Sequence, residues 1–203
     1  GQAPVRMPLL HQPAQLMNSL REKNPLVMCI QNYVAMDFSA NVLLAAGASP
    51  AMVNAVEEAE DFTKISSALS VNVGTALTPH WIKAMELAAS TAHRGSIPWV
   101  LDPVGCGATA HRNEQCAKLM QLRPTVVRGN ASEIMALAKI CQVEVDGGSS
   151  AGGGKGVDST AGSEEALPAG VALAKHFKCV IAISGAVDII TDGNTKVLIR
   201  NGQ

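Results

Sequence analysis

The sequence predicts an α/β fold in which helices cover both faces of a mostly parallel sheet, and three observations predict it. Short apolar runs such as Leu26–Ile30 and Cys179–Ile183 are too brief for helices, and their unbroken hydrophobicity suits strands buried on both faces. Stretches with helical spacing alternate with these runs along the chain, the pattern of repeated βαβ units. Polar or glycine-containing residues follow the strands at five places, where ligands bind in such folds: Gln31-Asn32-Tyr33, Asn72-Val73-Gly74, Asp102-Pro103-Val104-Gly105, Arg128-Gly129-Asn130 and Ser184-Gly185-Ala186.

Leu9 to Arg21 carries Leu10, Leu16 and Leu20 at helical spacing, and Pro25 breaks the pattern before the first strand, Leu26–Ile30. Met36 to Ala46 reads as a helix stopped by Gly47, and Ser49-Pro50 introduces a short apolar piece, Ala51 to Val53. Glu57, Glu58, Glu60 and Asp61 form an acidic stretch that suits the solvated face and first turns of a helix. Ala68 to Val73 is a strand ending at Gly74. Thr78 caps the next helix and Pro79 opens it; Trp81, Ile82, Met85 and Ala89 share one face until Gly95. Ile97 to Val104 reads as a strand, Cys116 to Leu122 as helix, and Thr125 to Val127 as a short strand running into Arg128-Gly129-Asn130. The helix Ala131 to Ile140 follows, and the Gly/Ser-rich run Gly147 to Gly156 reads as a loop. A helix spanning Glu164 to His176 leads to the strand Cys179–Ile183. Asp188–Thr191 and Lys196–Ile199 flank the turn Asp192-Gly193-Asn194, giving a hairpin.

The 203 residues include 16 basic and 17 acidic ones, a formal charge of -1, without the basic surplus that binding a nucleic-acid backbone needs. No apolar run reaches the roughly 18 residues of a membrane span. A charged fraction of 16% and an aromatic fraction of 3% leave a core of Ala, Val, Leu, Ile and Met, expected in one domain with bounds 1–203. Cys29, Cys106, Cys116, Cys141 and Cys179 contain no Cys-x-x-Cys pair, which favours free buried thiols in a reducing compartment over zinc or a redox dithiol. The expected location is the cytoplasm. Gly1 to Pro8 has neither an initiator Met nor a secretory apolar core and reads as a trimmed end or an added scar.

Two nucleotide-binding patterns come close and fail. Gly105-Cys106-Gly107-Ala108-Thr109-Ala110 fits G-x-G-x-x-A, but it does not follow the first strand and lacks the acidic residue that would hold a ribose. Ser149 to Gly156 contains Gly154-Lys155, yet it begins with Ser, has Gly156 where a P-loop needs Ser or Thr, and follows no strand. Asn130-Ala131-Ser132-Glu133 supports two readings. It is a capping box, and it also sets a carboxylate at a helix start near Arg128, where magnesium and phosphates could be organised. Asp102 is similarly double: a turn-forming Asp-Pro, or a hard oxygen ligand for magnesium.

Seven segments in one order resemble the hydroxyethylthiazole kinase family of the ribokinase-like superfamily. They are Asn32-Tyr33-Val34-Ala35-Met36 with Ala40-Asn41, Gly47-Ala48-Ser49-Pro50-Ala51-Met52, Asn72-Val73-Gly74-Thr75 and Leu101-Asp102-Pro103-Val104-Gly105. Arg128-Gly129-Asn130-Ala131-Ser132-Glu133-Ile134, Lys155-Gly156-Val157-Asp158-Ser159 and Ser184-Gly185-Ala186-Val187-Asp188 continue the series. The resemblance implies a ribokinase-like three-layer α/β/α fold. It implies transfer of the ATP γ-phosphate, with Mg2+, to the hydroxyl of 4-methyl-5-(2-hydroxyethyl)thiazole in thiamin salvage. It also implies a homotrimer with active sites at subunit interfaces. By the same resemblance Asn32, Val34 and Met52 bind the thiazole, Arg128 and Ser184 bind ATP, and Asp102 and Glu133 organise the metal. Without it, Met52 is simply a core methionine.

The chain departs from the family at Gln31, where Thr is usual, and at Cys106, where Ala or a similar small residue is usual. In the family a Gly-Thr-Gly-Cys-like turn follows the last hairpin, forms the anion hole and supplies the catalytic base. That turn is not found up to Gln203, so the chain is expected to be C-terminally incomplete and impaired in turnover. A noncatalytic thiazole- or nucleotide-binding protein and another ribokinase-like kinase, such as a pyrimidine kinase, are the alternatives. A fusion to thiamin-phosphate synthase, as in some relatives, has no sign in these residues.

Overall fold

The alternation read from the sequence is present in a computed structural model, which describes residues 12–74, 77–145 and 162–200. The elements run α1 (Gln12–Lys23), β1 (Leu26–Ile30), α2 (Met36–Ala46), β2 (Ser49–Met52), α3 (Val56–Ile65), β3 (Ala68–Asn72), α4 (Pro79–Arg94) and β4 (Trp99–Asp102). They continue as α5 (Ala110–Gln121), β5 (Val126–Asn130), α6 (Ala131–Ile140), α7 (Ser163–Phe177), β6 (Val180–Ser184), β7 (Asp188–Thr191) and β8 (Lys196–Ile199). Leu9, Leu10, Thr75, the loop Gly147 to Gly156, the segment Lys155–Ser159 and the end Asn201-Gly202-Gln203 lie outside the described residues.

Local chemistry sets the helix ends. Gly47 adopts φ 105°, and its N–H returns to the carbonyls of Leu43 and Leu44, a left-handed stop that glycine takes without strain. The Thr78 side chain accepts from the Trp81 N–H, with Pro79 in the first turn where no amide donor is needed. Several predicted elements differ in extent; the strand predicted at Thr125 to Val127 runs Val126–Asn130 and takes in its expected exit, Arg128-Gly129-Asn130. The strand predicted from Ile97 to Val104 is only Trp99–Asp102, lying between Pro98 and Pro103, neither of which can donate to a ladder. The helix predicted from Cys116 begins at Ala110, because Thr109 caps it by accepting from Arg112 N; its first turn is polar and shows no apolar period.

All eight strands form one sheet in the order β2-β1-β3-β4-β5-β6-β7-β8. The pairs from β2 through β6 are parallel, and β6-β7 and β7-β8 are antiparallel. The chain leaves β1 toward β2 and leaves β3 toward β4, so the direction of winding reverses between β1 and β3. Right-handed crossovers then put α2 on the face opposite the helices that follow β2, giving the three layers. The reversal opens a crevice beyond the carboxyl ends of β1 and β3.

The core is aliphatic, as the composition requires. Met28, Ile30, Leu69, Leu101, Ile181 and Ile183 from the strands are fully buried, and Ala84, Ala88, Ala89 and Ala92 give α4 a small-residue face. By contrast α1 and α2 contain no fully buried residue. Leu16 on α1, and Phe38, Val42 and Leu44 on α2, are exposed, as are Tyr33 and Val34 just before α2. Among the described residues, no helix is long and apolar enough to cross a membrane.

Candidate active site

The parallel strands place a row of residues, polar but for Met52, along one edge of the sheet. Met52, Asn72, Asp102, Asn130 and Ser184 are the last residues of β2, β3, β4, β5 and β6, and Asn32 lies just past the end of β1. Strand geometry alone brings these distant sequence positions into line.

The centre of the row is linked by hydrogen bonds. Asn32 Nδ2 donates to Asn72 Oδ1 at 2.7 Å, and Asn72 Nδ2 donates to Asp102 Oδ2 at 2.9 Å. Arg128 Nη1 stands 4.0 Å from the same Asp102 oxygen. Asn32 Oδ1 accepts from the backbone N–H groups of Val34 and Ala35, at 2.9 and 3.0 Å, and so shapes the turn into α2. Gly74 permits this packing: a Cβ there would fall 2.4 Å from Asn32 Nδ2.

Glu133 makes the capping box and reaches a second loop as well. Its Oε2 accepts from the Asn130 N–H at 2.8 Å while Asn130 Oδ1 accepts from the Glu133 N–H at 3.0 Å, completing the capping box. Its Oε1 accepts from the Gly105 N–H at 2.8 Å and ties the loop after β4 to α6. Gly105 has φ +71°, a conformation that leaves its N–H free to meet the carboxylate. Only 5% of Glu133 is exposed.

The electrostatics are short of positive charge. Burial pushes the Asp102 carboxyl up to about 6; Arg128 pulls it back, Glu133 adds to the rise, and the Asn72 hydrogen bond opposes it. Asp102 Oδ1 is buried without a hydrogen-bond partner. Two carboxylates, one incompletely satisfied, with a single arginine 4.0 Å away, fit a divalent cation. No group of three or more His, Cys, Asp or Glu among the described residues could hold a metal alone. Such a sparse oxygen set fits magnesium, which keeps several waters and takes its other ligands from phosphates, better than zinc. Because backbone donors already occupy both Glu133 oxygens, Glu133 suits contact through a metal-bound water, and Asp102 suits the direct role.

The remaining sequence candidates flank this centre. Met52 is half-buried opposite Cys29 at the β2 end of the row. Val34 is 83% exposed, and Tyr33 stacks edge-on against Trp81 with ring centroids 5.0 Å apart. Ser184, beside Asn130 in register, donates a long 3.4 Å hydrogen bond to the Gly129 carbonyl. The structure therefore joins Asn32, through Asn72, to Asp102 and Arg128, holds the Val34 backbone N–H on Asn32, sets Glu133 near enough for its charge to act on Asp102, and leaves Met52 and Ser184 outside this line.

Two residues escaped the site assignment made from the sequence. Asn72 was visible as a strand exit, but its bridging role depends on partners 40 and 30 positions away. Arg112 donates to the carbonyls of Val73 and Val104, clamping the loops after β3 and β4, and nothing in its spacing announces that. Contact with Cys116 and burial both push the Cys106 thiol up, away from the thiolate form that a nucleophile needs. The five cysteines are free, and Cys29 and Cys179 are pushed by burial up to about 11. A cleft of about 640 Å³ between the end of α6 and α7, lined by Gln142, Leu167 and His176 among others, shares no residue with the row of strand exits.

The sequence model of the hydroxyethylthiazole kinase family matches residues 17–203. A hydroxyethylthiazole kinase from Rhizobium johnstonii is 51% identical over 191 residues, which cover 94% of this chain and 67% of that protein. A hydroxyethylthiazole kinase structure from Pyrococcus horikoshii superposes with a TM-score of 0.80 at 34% identity, over 93% of this chain and 66% of the other. The pyridoxal kinase of Staphylococcus aureus, at 15% identity and a TM-score of 0.58 over 84% of this chain and 69% of its own, shares the ribokinase-like fold. The chain thus spans about two thirds of the length of these relatives.

Proposed function

The chain belongs to the hydroxyethylthiazole kinase family, phosphotransferases of thiamin salvage, and from that premise we propose how its strand exits divide the work. The reaction is transfer of the ATP γ-phosphate to the hydroxyl of 4-methyl-5-(2-hydroxyethyl)thiazole. Asn32, Val34 and Met52, on the β1 and β2 side, hold the thiazole. Arg128 and Ser184, on the β5 and β6 side, hold the nucleotide phosphates. Asp102 and Glu133 lie between them and hold Mg2+, Asp102 directly and Glu133 through water. The observation that supports this reading is the line of hydrogen bonds from Asn32 through Asn72 to Asp102, continued by the 4.0 Å ion pair to Arg128, with a half-buried carboxylate between the two proposed sides.

Phosphoryl transfer asks little covalent chemistry of a protein and much positioning and charge stabilisation. When bound, Mg2+ shields the phosphate oxygens and offsets the charge of the two carboxylates. Arg128 offers a planar, permanently charged group to phosphate oxygens, and its exposed head reaches them without desolvating a buried cation. Asp102, raised to about 6, is ionised at neutral pH and ready for the ion. The base that takes the alcohol proton is assigned to none of the described residues. We place it in a Gly-Thr-Gly-Cys-like turn after the last hairpin, within the third of the relatives' length that this chain does not span, and read residues 1–203 as part of a single kinase domain.

The exposed apolar row Val34, Phe38 and Val42, at i, i+4 and i+8, supports a homotrimer whose neighbouring subunit closes the thiazole pocket. A cytoplasmic location accords with a family of soluble kinases. The test, on protein that carries this chain together with that Gly-Thr-Gly-Cys-like turn, is ADP release with Mg2+-ATP across three alcohols: the thiazole alcohol, a hydroxymethylpyrimidine and pyridoxal. The thiazole alcohol should give the highest kcat/KM by at least tenfold. Preference for either of the others refutes the assignment of substrate.

A further inference from the structure

The family reading assigns groups to the thiazole and to the metal but leaves Asn72, which touches both sets. Asn72 ends β3 at the winding reversal and is only 5% exposed. Its Oδ1 accepts from Asn32 Nδ2 at 2.7 Å and from the Gly74 N–H at 2.9 Å, and its Nδ2 donates to Asp102 Oδ2 at 2.9 Å. The amide has one possible orientation here. Flipped, it would set N–H against N–H at Asn32 and Gly74, and oxygen against a carboxylate at Asp102. Asn32 is oriented in the same way, since its oxygen accepts from Val34 and Ala35 and its amide donates to Asn72.

We infer that Asn72 is a positioning residue that couples occupancy of the alcohol side to occupancy of the cation side. The inference rests on the kinase reading for the identity of the two ligands. Any ligand that shifts the turn at Val34-Ala35 moves the Asn32 amide, and through Asn72 the rotation of the Asp102 carboxylate. Any cation that draws on Asp102 pulls the same chain from the other end. All three side chains are wholly or largely buried, where a directional hydrogen bond is strong and its loss is not repaired by water. Linkage requires the effect to be reciprocal: if the alcohol tightens the cation, the cation tightens the alcohol by the same factor.

The test is direct binding by the full chain, without ATP and without turnover. Mn2+ is titrated by electron paramagnetic resonance with and without saturating 4-methyl-5-(2-hydroxyethyl)thiazole, and the alcohol is titrated calorimetrically with and without saturating Mn2+. Wild-type protein should show a change in each affinity of about fivefold or more, equal in both directions. Asn72→Asp keeps an acceptor for Asn32 and Gly74 but faces Asp102 with an acceptor in place of a donor. Asn72→Ala removes both contacts. Either variant should still bind each ligand singly while the coupling falls to within twofold of none. A merely structural asparagine would lower stability in the variants and leave the coupling intact, which would overturn the proposal, as would independent binding in wild type. If the variants do not fold, the wild-type Gly74 amide resonance decides. It should move when either ligand is added alone, and a response to only one of them, or to neither, also overturns the proposal. Wild type that binds no thiazole alcohol at all sinks the substrate reading instead, a result distinct from two ligands that bind without coupling.

Discussion

Replacing Asp102 by asparagine should abolish metal-dependent activity and stabilise the metal-free protein, by an amount that depends on pH. The Asp102 carboxyl is raised from an ordinary value of 3.8 to about 6, chiefly by burial. The folded state therefore holds this proton more tightly than the unfolded state between those two pH values. Stability falls as pH rises through that window, because the unfolded chain ionises more easily. Two pKa units at about 1.36 kcal/mol each make the full penalty about 3 kcal/mol, complete above pH 6 and absent below pH 4. Asparagine keeps an oxygen for Asn72 Nδ2 but sets an amide where Oδ1 has no partner, which returns about 1 kcal/mol. The net gain is about 2 kcal/mol at pH 8, or roughly 4–8 °C in Tm for a chain of this length. The assay is thermal unfolding of wild type and Asp102→Asn in EDTA from pH 4.5 to pH 8. The Tm difference should grow with pH across the window. A constant offset, or a variant less stable at pH 8, refutes the claim that burial of this charge is the dominant local cost.

Three further outcomes follow from the same geometry. Glu133→Ala strips acceptors from the Gly105 and Asn130 N–H groups and opens the capping box, so urea unfolding should report a loss of about 2–3 kcal/mol beside the loss of activity. Arg128→Ala should cost less than about 0.5 kcal/mol of stability, because its contact with Asp102 is long and exposed, while steady-state kinetics show a KM for ATP raised about tenfold or more. Gly74→Ala drives a methyl to within 2.4 Å of Asn32 Nδ2; calorimetric melting should show at least about 2 kcal/mol of destabilisation, and the thiazole affinity should fall with it.

What the sequence revealed and what it hid divide along the range of the interactions. Gly47 stops α2 and Gly193 turns the final hairpin through left-handed backbone that glycine accepts, so both ends were readable from a few residues. The capping box was readable from the Asn130 and Glu133 spacing alone. The polar first turn of α5 was not, because its helix depends on the Thr109 cap and on burial that begins only at Gln115. The row of strand ends was legible from the sequence pattern, and the family resemblance named the candidate residues along it. Asn72 and Arg112 stayed hidden as working parts, since their partners lie at least 30 positions away or are backbone carbonyls that leave no mark on sequence. Glu133 shows how one carboxylate can cap a helix and also reach a neighbouring loop, because its second oxygen accepts from the Gly105 N–H.

The most direct measurement follows the γ-phosphate itself. ATP labelled at the γ position is incubated with protein carrying this chain, Mg2+ and 4-methyl-5-(2-hydroxyethyl)thiazole, and the products are separated and quantified. The account predicts label in the phosphate ester of the thiazole alcohol, one equivalent per ADP formed, dependent on Mg2+ and absent in Asp102→Asn. Label found only in inorganic phosphate, or ester formed equally well by Asp102→Asn, would contradict it.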